Sequence, residues 1–97
     1  MGGGKPNMGA QIHIHLTLRR FTNGEPVVEA EGNTVGECVK NLIKKYPDIE
    51  SSILDKKGDL LKIVEIYVNG ESAYPNELAK SIKDGDQIHL TLMLAGG

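Results

Sequence analysis

Three groups of residues in this 97-residue chain have types and spacings that chemistry can use. The first is the end, "HLTLMLAGG", where an alternating run gives way to Ala95-Gly96-Gly97. Two residues without a Cβ let a backbone thread a narrow channel in conformations denied to other residues. The α-carboxylate of Gly97 is a poor electrophile, and conversion to an acyl adenylate by ATP would make it a good one. The bland alternative for such an end is simple fraying. The second group is His13, His15 and His89, whose types suit a metal site or a pH-dependent docking surface. No Asp, Glu or Cys accompanies them at a fixed ligand spacing, so three polar side chains on a solvated face is the favoured reading, with no metal. The third is Cys38, the single cysteine. Its place early in a helical pattern favours a lowered thiol pKa, but its apolar neighbours favour a small core residue, and the core reading is preferred.

Other signals of catalysis are missing. No Ser-His-Asp, Cys-His or paired-carboxylate constellation stands at an interpretable spacing. Glu29-x-Glu31 and Asp84-x-Asp86 read as solvated edge and turn charges. No GxxxxGK phosphate loop occurs, so any ATP chemistry belongs to a partner. The chain reads as a substrate or carrier rather than an enzyme, with no cofactor of its own.

Each of these residues needs an element to hold it. In QIHIHLTLRR, Ile12, Ile14, Leu16 and Leu18 alternate with His13, His15, Thr17 and Arg19, which predicts a half-buried strand. Asn23-Gly24 predicts a turn and PVVEAEG a returning strand, together an N-terminal hairpin. Thr34 followed by Glu37 is a capping-box signature, and Val35, Val39, Leu42, Ile43 and Tyr46 recur at helical spacing until Pro47 stops the helix. A short helical turn is expected over Ile49 to Leu54 and a turn at Lys57-Gly58. KIVEIYVNG predicts a strand with Val64, Ile66 and Val68 inward, closed by the Asn69-Gly70 turn. A brief helical piece is expected at Asn76 to Lys80. The turn KDGD, Lys83 to Asp86, leads into QIHLTLML, with Ile88, Leu90 and Leu92 inward and His89, Thr91 and Met93 outward.

Composition sets the frame around these elements. The chain fits one domain, with 39% hydrophobic residues and a net charge of -2 from interspersed charges. No polybasic face suggests nucleic acid, no apolar run is long enough to span a bilayer, and no signal peptide is visible, so a cytoplasmic setting is expected. Residues 1–10 lack a hydrophobic period and are expected to form a disordered arm or a remnant, with an ordered domain over 11–93 and a flexible tail over 94–97. The element order gives an α+β domain: one main helix packed across a mixed sheet of four to five strands, the first and last strands adjacent at its centre. That is the β-grasp, or ubiquitin-like, arrangement.

On that pattern, "VEIYVNGE", the KDGD turn into an apolar strand and the terminal Gly96-Gly97 occur in one order. Together they resemble the ubiquitin-like sulfur-carrier family, typified by MoaD, the small subunit of molybdopterin synthase, and by the thiamine carrier ThiS. The resemblance runs from about Gln11 to Gly97. It implies that a partner of the ubiquitin-activating type adenylates Gly97 with ATP, and that sulfur then displaces AMP to leave a C-terminal thiocarboxylate. The thiocarboxylate would donate its sulfur to a biosynthetic acceptor enzyme. Gly97 would be the reactive residue and Gly96 the clearance residue, with Leu94 and Ala95 as docking lead-in. The partner-binding surface would add Met93, Tyr67, His89 and Thr91. Molybdopterin is the first pathway expected, with thiamine, cysteine, methionine and tRNA thiolation as others. Two further classes stand beside this one: a ubiquitin-like modifier joined to target lysines through Gly97, and a β-grasp binding module with an inert tail. A ferredoxin is excluded, because one cysteine cannot hold an iron–sulfur cluster.

Overall fold

A computed structural model describes residues 9–93 of the chain. Strand β1 (Gly9–Ile14) is followed by a 3-10 turn (Leu16–Phe21), β2 (Val27–Glu31) and helix α1 (Val35–Lys45). A second 3-10 turn (Pro47–Ile49) runs into the short helix α2 (Glu50–Ile53), and the chain returns as β3 (Val64–Val68) and the two-residue β4 (Glu71–Ser72). A last 3-10 turn (Glu77–Ala79) precedes β5 (Gln87–Leu92). The sheet order is β2-β1-β5-β3-β4, with β1 and β5 parallel and every other pair antiparallel. This is the expected β-grasp sheet, and the first and last strands do form its centre.

The core lies between the sheet and α1. Ile12 and Ile14 from β1, Ile88 and Leu90 from β5, and Val64 and Ile66 from β3 meet Val35, Val39 and Leu42 of the helix. Cys38 is buried among them, as the core reading required. Thr34 caps the helix: its hydroxyl accepts the Glu37 amide at 3.1 Å. The Glu37 carboxylate reaches back to the Asn33 amide at 2.6 Å, one residue before the position a regular capping box would use. Asn69 and Gly70 both take positive φ, as a tight hairpin between β3 and β4 demands. Among the described residues no helix is long and apolar enough to cross a membrane.

Two expectations need correction. The first strand does not run on to Leu18, since β1 ends at Ile14 and Leu16 is 71% exposed. The cause is local. The His15 ring accepts the Thr17 amide at 3.2 Å, and the His15 carbonyl accepts the Leu18 amide at 2.8 Å, so the chain coils instead of extending. Leu18 is buried after all, but from the 3-10 turn rather than from a strand. The Asn23-Gly24 turn consequently closes an irregular link over 15–26 and not a tight hairpin. At the other boundary, Gly9 and Ala10, expected within the N-terminal arm, already belong to β1, with Ala10 buried against the helix side. Residues 1–8 lie outside those described.

Candidate functional site

The face of the sheet away from α1 is built in rows that the strand register fixes. One row runs Val27, His13, His89, Tyr67, Ser72 across all five strands. Below it Glu29, Gln11 and Gln87 are aligned, and above it Glu65 pairs with Thr91. The next outward position, one residue past the end of β5, is Met93, 52% exposed, whose amide donates to the Ile63 carbonyl at 2.6 Å. The rows therefore lead along the central strand to the point where the tail begins.

The middle of this face is polar and half-buried. His13 and His89 stack with centroids 4.2 Å apart and planes inclined by 12°. His13 Nε2 donates to Gln87 Oε1 at 2.6 Å, which fixes that ring from below. Burial, and then the neighbouring His13, hold the His89 imidazole below its ordinary value. His15 does not join them, because it lies past the end of β1 and is committed to Thr17. Stacked rings carry their nitrogen lone pairs in parallel planes, which do not converge on one ion. Among the described residues no group of three or more His, Cys, Asp or Glu side chains is arranged around a metal.

The base of the site is held by hydrogen bonds from the KDGD turn. The Asp86 carboxylate accepts the Lys83 amide at 2.8 Å and the Asn69 side-chain amide at 3.0 Å, and these bonds keep its pKa below the usual carboxylate value. Asn69 in turn accepts the Gln87 amide at 2.9 Å. The same turn is tied to β1 by the Gly85 amide on the Gly9 carbonyl, at 2.8 Å. One charged turn thus joins the starts of β1 and β5 to the end of β3.

Of the residues expected at the site, Tyr67, His89 and Thr91 share the open face, all half-buried, and Met93 stands at its upper end. Leu94, Ala95, Gly96 and Gly97 lie outside the described residues. Two neighbours were not singled out from the sequence. Ile63, exposed on the row of Met93, follows from extending the alternation of Glu65 and Tyr67 back by one step. A groove of about 750 Å³ at the sheet edge, walled by Leu60, Leu61, Tyr74, Leu78 and Met93, had no sequence signal because it joins three separate loops.

Residues 12–97 match the ThiS family. The chain is similar to the sulfur carrier protein CysO of Mycobacterium tuberculosis, 34% identical over 93 residues that cover 93% of this chain and all of the relative. Its fold is similar to a chain of the Amycolatopsis orientalis BexX/CysO complex, with a TM-score of 0.82 and 30% identity over 91% of this chain and 99% of that one. It is also similar to the crystal structure of Mycobacterium tuberculosis CysO, with a TM-score of 0.78 and 32% identity over 86% of this chain and 97% of that one.

Proposed function

We propose that this chain, which belongs to the ThiS family of ubiquitin-like sulfur carriers, carries sulfur as a thiocarboxylate on Gly97. The observation that carries the reading is the position of Met93: the chain leaves the sheet from its central strand, at the head of an open face. The four residues beyond it reach about 14 Å at most, enough to bring a terminus into a partner's active site while the domain stays outside. In the first step the Gly97 carboxylate attacks the α-phosphate of ATP and pyrophosphate leaves. In the second a hydrosulfide sulfur attacks the acyl adenylate carbonyl, AMP leaves, and the thiocarboxylate remains. This chain supplies the nucleophilic carboxylate and the docking surface, and the activating enzyme supplies the catalysis.

The sheet face, with Tyr67, His89, Thr91 and Met93, is the surface proposed to dock the activating enzyme, with Leu94, Ala95 and Gly96 leading into its channel. The CysO structure with BexX supports the idea that a domain of this shape engages a partner protein. For the acceptor, the likeness to CysO favours a cysteine-type route. The molybdopterin-first order drawn from the sequence gains no support from these relatives.

The test is mass spectrometry of the intact chain after incubation with ATP, an activating enzyme and a sulfur source. A mass gain equal to exchange of one oxygen for sulfur, mapped to Gly97 and absent from a chain lacking Gly96-Gly97, is expected. An unmodified terminus with the cognate enzyme would refute the carrier reading. Isopeptide-linked adducts on lysines would instead identify a protein modifier.

A further inference from the structure

We propose that docking on the open sheet face is linked to proton release from the stacked His13–His89 pair, so that the face is competent when both rings are neutral and is weakened by the first proton. Two neutral imidazoles stacked 4.2 Å apart in nearly parallel planes pack well, but two imidazolium rings in that arrangement repel. A proton on one ring therefore disfavours a proton on the other, and protonation of the two rings is coupled. Partial burial adds to this, since the medium around His89 penalises charge.

The surroundings leave the pair to itself within its row. On the β2 side Val27 stands beside His13, and on the β3 side Tyr67 stands beside His89, neither of them carrying a carboxylate or an ammonium group. Along the strands, Gln11 and Gln87 occupy the row below, and Thr91 the row above. The carboxylates on this face, Glu29, Glu31 and Glu65, stand one or two rows away from the pair, and His15 is turned toward Thr17. No carboxylate is registered directly against either ring. A partner that covers the row must take these rings out of water, and a buried cation without a partner charge is costly. Covering the face therefore favours the neutral pair, and binding releases whatever proton the pair holds.

This deepens the docking role proposed for the face, and the experiment separates the two. In the free chain, the imidazole Cε1–H resonances of His13 and His89 are followed by NMR from about pH 8 to 4. Both are expected to show ring-current displacement at neutral pH and to lose it over one shared pH range as the pair takes up protons. His13→Gln is expected to move the His89 midpoint upward. Independent titration of the two rings in the wild-type chain, with the stack unchanged, would overturn the switch whatever the chain's function. In the adenylation reaction, the KM for the wild-type carrier is expected to rise as pH falls, beyond the change seen for a carrier with both histidines replaced by Gln. Equal pH dependence of KM for the two carriers, with coupled NMR titration intact, would overturn the link to docking alone. The thiocarboxylate reading is judged separately, by whether product forms at neutral pH.

Discussion

At Cys38 burial and charge act in the same direction. The thiol sits in the apolar core, with Glu37 next to it in sequence, and both push its pKa up. The helix N-terminus, which lowers thiol pKa values elsewhere, does not prevail here. A thiol reagent at about pH 8 is expected to modify Cys38 at least about 100-fold more slowly than after unfolding in urea, because reaction must wait for opening of the core. Absorbance-monitored labelling with and without denaturant checks this. His89 makes a second prediction. Its folded pKa lies below the ordinary 6.5, so between the two values the unfolded chain binds more protons. Its contribution to stability is complete above 6.5 and is lost as pH falls through the folded value. Asp86, also lowered, adds a loss of the same sign further down, below 3.8. Thermal unfolding is thus expected to shift to lower temperature as pH drops from about 7 to 5, and His89→Gln should flatten that slope. At this scale the sequence carried much of the site. The residues that share the face, Tyr67, His89, Thr91 and Met93, all follow from a period of two on adjacent strands. His15 did not follow, because a ring nitrogen within reach of its own neighbouring amide outcompeted the ladder.

The elements differ in how far local patterns define them. Helix α1 was legible at both ends, since Thr34 and Pro47 act through bonds to their nearest neighbours. Thr34→Ala is expected to lower stability by about 1 kcal/mol, with the Glu37 amide left without its acceptor. Urea unfolding followed by far-UV circular dichroism measures it. Gly32, just before this helix, has a requirement no short motif announces. Its φ is +153°, and a Cβ there would stand 2.8 Å from the Cys38 amide nitrogen. The start of α1 therefore approaches the end of β2 closely enough to need glycine. The 3-10 turn Leu16–Phe21 was the element that patterning missed. Leu16 and Leu18 satisfy a strand template, yet Leu18 reaches the core just as well from a coil, while Leu16 is left in solvent. Apolar spacing alone does not separate those outcomes when the segment is short.

For the whole molecule, the decisive feature is that the two sheet-centre strands come from opposite ends of the described chain. Leu90 is fully buried, on a strand flanked by both β1 and β3. Leu90→Ala is expected to cost about 2–5 kcal/mol, read as a lower urea midpoint at unchanged m-value. Such a loss removes a large share of the net stability of a domain this size, so a partly unfolded chain at room temperature is a consistent outcome. The fold class was legible because regular alternation marked β1 and β5 as the central pair. The edge groove was not, because its walls are assembled from residues 60–61, 74–78 and 93 by tertiary contact.

The parallel pairing of β1 and β5 has a mechanical consequence. A pull on the C-terminus is directed along β5, and β5 is bonded on both sides, to β1 and to β3. Tension therefore loads those hydrogen bonds in shear, where many must yield together, rather than peeling them one at a time as at a hairpin's open end. A tail gripped in a partner's channel and tugged as the complex separates would transmit its load to the sturdiest line in the sheet. The domain would come away whole, as a tethered weight does on a well-anchored cord.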